Sequence, residues 1–224
     1  MDPIIFSLLI ASILLSLYAQ ITVSGNFKKY SRVSSRKGFT GAEVARLMLD
    51  RRGIYDVDVV PVRGNLTDHY DPTKKVVRLS ESVYDSSSIS AISVAAHEVG
   101  HAIQDNEGYA FLRFRSALAP AVSFTSGFVW NLILLGLLFQ SMKLINIGII
   151  FFTFTVLFQI VTLPVEINAS RRALANLETD SIIYHEEAYG SRKVLKAAAL
   201  TYVAAMLYSI VNLLRLLSMR NRND

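Results

Sequence analysis

The chain has 224 residues, 52% of them hydrophobic and 18% charged, with a formal net charge of +5. A mean hydropathy of +0.36 is too high for an average soluble domain and indicates several membrane spans around a modest polar part. There is no cysteine, which excludes disulfides, iron–sulfur clusters and thiolate zinc sites, so a metal must be held by histidine and carboxylate. The basic residues flank the apolar runs, a pattern of membrane topology and not of nucleic-acid binding.

In chain order, residues 3–23 are almost wholly apolar, roughly the 20 that cross a hydrocarbon core as a helix. The run begins Met-Asp-Pro and offers neither the basic start nor the small-residue cleavage site of a signal peptide, so it reads as a retained anchor. The polar segment that follows reads as α+β. Thr40 and Glu43 have capping-box spacing and open a helix expected to reach about Arg52 and stop at Gly53. Residues 56–62 alternate as a strand, and 66–70 with 75–80 flank the turn sequence Asp71-Pro72-Thr73-Lys74, which predicts a hairpin. Ser86, Ser87 and Ser88 offer an N-cap for a helix running to about Asn106, before Gly108. Three further apolar runs follow: 117–139, interrupted by Pro120 and Asn131; 144–163, after Lys143; and 194–217, with Lys196 and Arg215 near its ends, where long side chains can snorkel.

Lysines and arginines set the expected orientation. Lys28, Lys29, Arg32, Arg36 and Lys37 follow the first run, and Arg113, Arg115, Arg171, Arg172, Arg192 and Lys193 lie on the same side of the others. The positive-inside rule places 25–116 and 164–193 in the cytoplasm. Four spans put the C-terminus outside, against the charges of Arg220 and Arg222, and we read that tail as an exception.

The stretch SVAAHEVGHAIQDNEG holds two of the four histidines. On the predicted helix His97 and His101 are neighbours one turn apart, so both can aim a nitrogen at one ion. Glu98, one step round, is poorly placed as a ligand but can take the proton of a water activated by the metal. Gly100 lies between the histidines, where a missing side chain lets another backbone approach. The competing reading is two histidines that merely share a helix face. Glu98-x-x-His101 also fits a di-iron carboxylate site, but no second Glu-x-x-His exists, and four histidines are too few for a membrane desaturase. A catalytic zinc needs a third protein ligand. His69, Glu166, Glu178, His185, Glu186 and Glu187 are the candidates, with Glu166 following the third span beside Pro164, a residue suited to a helix start or bend.

The segments LTDHYDPTKKVVRLS, AAHEVGHAIQ and LPVEINASRRAL, with the spans around them, resemble the YugP-like neutral zinc metallopeptidases of bacterial membranes over nearly the whole chain. More distantly, the arrangement is similar to HtpX-type membrane proteases and CAAX prenyl endopeptidases. The resemblance implies an α-helical membrane protein with about four transmembrane helices and a small α+β zincin-like catalytic part. The expected organisation is an anchor at 1–24, a cytoplasmic catalytic part at 25–116, a transmembrane hairpin at 117–163, a cytoplasmic helix at 164–193 carrying the third ligand, and a C-terminal helix and tail at 194–224. It also implies Zn²⁺ held by His97, His101 and Glu166. Such relatives often carry an aspartate four positions after that glutamate, orienting a zinc-binding histidine. This chain has Ser170 there, which leaves Ser170, Asn168, Asp180 or water for the role.

The expectation is therefore an integral zinc endopeptidase of the cell membrane with a cytoplasm-facing site, Glu98 as general base, and a protein or peptide substrate associated with the bilayer. A non-proteolytic membrane scaffold that keeps the fold is the alternative, and intact His97, Glu98 and His101 argue against it. His69, Tyr70 and Arg171 are candidates to stabilise the oxyanion. Strand alternation over 66–70 puts His69 on the face opposite Asp68 and Tyr70, and His69 is the further catalytic candidate beside Glu98.

Overall fold

The computed structural model describes residues 2–220, so Arg222 of the expected exception lies outside the described residues. Helix α1 spans Pro3–Tyr30, α2 Gly41–Asp50, strand β1 Asp58–Val62, β2 His69–Asp71, β3 Val76–Ser80, the short α3 Glu81–Tyr84, α4 Ile89–Asn106, α5 Ala110–Leu138, α6 Met142–Thr179 and α7 Ala188–Arg220. Four of these helices, α1, α5, α6 and α7, are long and apolar enough to cross a membrane. The protein is accordingly an α-helical membrane protein with a small α+β part. It divides into two compact units, one of Met1–Ala19, Ala110–Pro164 and Thr201–Asp224, the other of Gln20–Tyr109 and Val165–Leu200.

In the first unit, α5 and α6 pack through Val129 and Ile133 against Ile145, Ile149, Phe152 and Val156, with Leu216 of α7. Two glycines make the approach close. A Cβ on Gly136 would stand 2.6 Å from Ile145 Cγ1, and one on Gly148 would stand 2.8 Å from Ile133 Cγ1. Small residues at crossings are how apolar helices associate where burial from water supplies no drive. Phe124, Leu134, Leu138 and Ile150 stay exposed, the outward face expected of segments whose solvent is lipid.

The second unit is built as a soluble domain is. Thr40 and Glu43 form the capping box at the start of α2, which presents Val44, Ala45, Met48 and Leu49 inward. From α4, Ile92, Ala95, Ala96, Val99, Ala102 and Ile103 recur at helical spacing and meet them in one core with Val77, Leu79, Ala173 and Leu177. Fully burying each larger aliphatic side chain contributes about 1.5–3 kcal/mol. The sheet order is β1-β3-β2, with β3 parallel to β1 and antiparallel to β2, so buried β3 is central and β2 is an edge. Pro61, which cannot donate to a ladder, sits on the other edge strand, where it is tolerated.

Three expectations change. The hairpin forms, but β2 begins at His69 and not at residue 66, because Leu66 adopts a φ of 57° that no strand allows. The turn is held by Asp71 Oδ1, which accepts from the amides of Thr73 and Lys74, and is closed by Lys75 at φ 52°. Pro164 lies inside α6 and starts no helix, so the third apolar run and the segment carrying Glu166 are one helix of 38 residues. The four-residue α3, unexpected from the pattern, links β3 to the approach to α4.

Candidate metal centre

Helix α4 opens on Ser88, whose hydroxyl accepts from the Ala91 amide, and it places His97, Glu98 and His101 within its buried stretch. Gly100, between the histidines, faces the backbone of Ala169 on α6. A Cβ there would stand 2.7 Å from the Ala169 carbonyl oxygen and 3.2 Å from its Cα. This contact brings the two helices together at backbone distance. Glu166, one turn before Ala169, consequently reaches the histidine pair, and it is 1% exposed.

His97 Nε2 lies 3.2 Å from Glu166 Oε2, and His101 Nε2 lies 3.6 Å from the same oxygen. One nitrogen from each ring and one carboxylate oxygen all fall within 4.8 Å of one another. A tetrahedral zinc with bonds of about 2.0–2.2 Å sets its ligand atoms roughly 3.4 Å apart, so the observed separations bracket what the ion requires. Two imidazoles and a carboxylate are also the ligand types zinc takes when a position is left open for chemistry. The residues fit the ion.

The far edge of each ring is held as well. Ser170 Oγ is 3.1 Å from His97 Nδ1, and Gln104 Oε1 is 3.0 Å from His101 Nδ1. The direction of the second bond follows from its surroundings. Gln104 Nε2 donates to the Val165 carbonyl at 2.9 Å and to Asn168 Oδ1 at 2.9 Å, and Asn168 Oδ1 also accepts from Arg172 Nε at 2.7 Å. With both amide protons committed to other acceptors, Gln104 Oε1 is the atom that faces the ring, so Nδ1 of His101 donates to it, and Nε2 of the neutral ring is the nitrogen left for an ion. Arg172 is anchored in turn by Glu107 at 2.7 Å.

Glu98 is 8% exposed, and its Oε2 accepts from the Tyr70 amide of β2 at 3.0 Å. Burial pushes its carboxyl up to about 7; the charges of Glu166 and Asp68 add to the rise, while His97 and the Tyr70 amide oppose it. A carboxylate so placed accepts a proton near neutral pH more readily than an exposed one. The edge strand is itself tied down, because Tyr70 Oη donates to Asp105 Oδ2 at 2.8 Å and Lys75 pairs with that oxygen at 2.7 Å. Burial and the Asp105 carboxylate raise the Tyr70 phenol well above its ordinary range. Asp68, raised by burial, accepts from the amide and hydroxyl of Ser80.

The structure thus gathers His97, His101 and Glu166, with Glu98 beside them. Ser170 occupies the position facing His97 Nδ1, whereas Asp180 is paired with Arg52 at 2.7 Å and Asn168 belongs to the Gln104 network. His69 is not gathered. Its exposed ring has Nδ1 2.8 Å from the Thr67 carbonyl and Nε2 3.5 Å from Arg78, both in its own hairpin. Tyr70 reaches the centre through its backbone and not its hydroxyl. Glu186 pairs with Arg36 at 2.7 Å, Glu187 accepts from the Arg36 and Tyr184 amides, and His185 is exposed. Gln104 was not anticipated. Its signal was an uncharged polar residue three positions after His101 and seven after His97, on the same helix face as both.

Comparison with known proteins agrees with this chemistry. The model of the family described as "Putative neutral zinc metallopeptidase" matches residues 5–221. A protein of Bacillus subtilis (strain 168) named "Putative membrane protease YugP" is 56% identical over 208 residues, covering 93% of this chain and 92% of that protein. No solved structure matches the chain.

Proposed function

The chain belongs to the family described as "Putative neutral zinc metallopeptidase", and on that premise we propose that it is an integral membrane zinc endopeptidase. The observation that carries the reading is the convergence of His97 Nε2, His101 Nε2 and a Glu166 oxygen within 4.8 Å, with the buried carboxylate of Glu98 on the same helix as the histidines. Zinc, when bound, supplies a Lewis acid that acidifies water and polarises a carbonyl.

His97, His101 and Glu166 hold the ion. Ser170 and Gln104 occupy the Nδ1 edges and so orient the two rings, leaving their Nε2 atoms toward the ion. Glu98 takes a proton from the attacking water as the oxygen bonds to the scissile carbonyl carbon. It then delivers that proton to the amide nitrogen as the C–N bond breaks, releasing a carboxylate and an amine. The Tyr70 amide fixes Glu98 Oε2. Glu98, His101 and Glu166 are buried, which strengthens each of these interactions.

The substrates are proteins or peptides at the membrane, and the site faces the cytoplasm, a reading supported by the basic residues around 25–37 and 171–193. The test is cleavage of an unstructured peptide library by the purified full chain before and after chelation. Cleavage lost with zinc and restored by it supports the reading; undiminished cleavage by metal-free protein overturns it.

A further inference from the structure

A groove of about 320 Å³ runs between α6 and α7 in the second unit. Ile167, Leu174, Leu195 and Ala199 give it apolar walls, and Arg171, Arg192 and Lys196 supply three cations. On each helix the lining residues recur at three- and four-residue spacing, so each contributes one face. The nearest carboxylate to this basic set is Glu178, whose Oε1 is 3.8 Å from Arg192 Nη2, beyond hydrogen-bonding distance. The groove therefore keeps an excess of positive charge beside hydrocarbon.

We propose that it binds an anionic glycerophospholipid, with the phosphate among Arg171, Arg192 and Lys196 and an acyl chain along Ile167, Leu174, Leu195 and Ala199. Both helices adjoin apolar runs here: the run at 144–163 ends four residues before Ile167, and another continues directly from Lys196. A soluble anion would leave the apolar walls unused, and a zwitterionic lipid would leave the cations without net compensation. The groove is also distinct from the proposed reaction side. Ser170 lines it and meets His97 at Nδ1, the ring edge opposite the Nε2 that faces Glu166.

The experiment reconstitutes the full chain in phosphatidylcholine vesicles with and without phosphatidylglycerol, extracts it in mild detergent and counts retained lipid by native mass spectrometry. Wild type retains phosphatidylglycerol in preference to phosphatidylcholine. Each basic residue near a headgroup contributes about fivefold, so Arg171→Gln with Arg192→Gln and Lys196→Gln lowers retention about a hundredfold. Lys28→Gln with Lys29→Gln and Lys193→Gln removes the same charge from exposed positions outside the groove and leaves retention unchanged. Ala199→Phe, which fills the apolar part with the cations intact, also lowers retention. Should the triple groove variant fail to fold, Lys196→Gln alone, at an exposed position, lowers retention about fivefold. Equal loss in the two triple variants, equal retention of phosphatidylcholine, or displacement of the lipid by millimolar inorganic phosphate overturns the proposal.

Discussion

Gly100→Ala tests how the metal centre is spaced. The added Cβ would stand 2.7 Å from the Ala169 carbonyl oxygen and 3.2 Å from its carbonyl carbon and Cα, all backbone atoms that cannot rotate away. Ordinary contact begins at 3.4 Å, so α4 and α6 must separate by about 0.7 Å, the difference between 3.4 and 2.7. Overpacking of this kind costs about 1–3 kcal/mol of stability. The same movement draws the histidines on α4 away from Glu166 on α6, whose separations of 3.2 and 3.6 Å already bracket what zinc needs. Metal sites tolerate about 0.2 Å in ligand distance, so zinc affinity falls, by about 10- to 100-fold on the scale of perturbed outer contacts. Competition with a chromophoric chelator measures the affinity, and thermal unfolding of the metal-free protein measures the stability. Gly127→Ala on α5, with nothing within 4 Å of the added Cβ, is the control and should be neutral or slightly stabilising. Zinc affinity and melting temperature both unchanged in Gly100→Ala would refute the spacing argument.

Gln104→Leu removes the acceptor from His101 Nδ1 and the donor to Val165 and Asn168, and should weaken zinc binding about 10- to 100-fold in the same chelator competition; unchanged affinity would remove Gln104 from the support of the site. His69→Ala should change kcat/KM less than about tenfold and stability by less than about 1 kcal/mol, since its ring contacts only its own hairpin; a larger kinetic loss with zinc intact would bring the ring into the reaction. Asn65→Cys, at an exposed position in a chain without cysteine, should resist a membrane-impermeant maleimide in intact cells and react after permeabilisation, and labelling of intact cells would reverse the assigned topology.

Local signals translated well from sequence into structure. The Thr40–Glu43 capping box, the Ser88 N-cap of the histidine helix and the four apolar helices all rest on interactions within one segment, which periodicity and capping chemistry can report. Non-local features were less legible. The parallel pairing of β1 with β3 joins residues 18 apart, such as Asp58 and Val76, and no pattern within either strand encodes it. Leu66 lies at positive φ, a conformation that nothing in its residue type announces. Pro164 lacks an amide hydrogen, yet α6 continues through it, so of the start or bend that the residue suggested, the start is absent. In the candidate site, the histidine spacing was local and visible, whereas the meeting of Glu166 with it depends on a backbone contact at Gly100 that the sequence marks only by a missing side chain. The Gln104–Asn168–Arg172 chain was hidden for the same reason, since its members come from two helices.

The central claim is that Glu98 is the base of a zinc-dependent peptide hydrolysis, and Glu98→Gln tests it most directly. The variant replaces a proton acceptor by an amide of nearly equal shape and alters none of the three residues proposed to hold the ion. Wild type and variant, each assayed for bound zinc by elemental analysis, are incubated with a membrane-protein extract, and new N-termini are counted by mass spectrometry. The account predicts zinc bound one to one in both, and new N-termini from wild type that fall by at least about 100-fold in the variant. Equal cleavage by the two proteins, or no cleavage by zinc-loaded wild type, would contradict it.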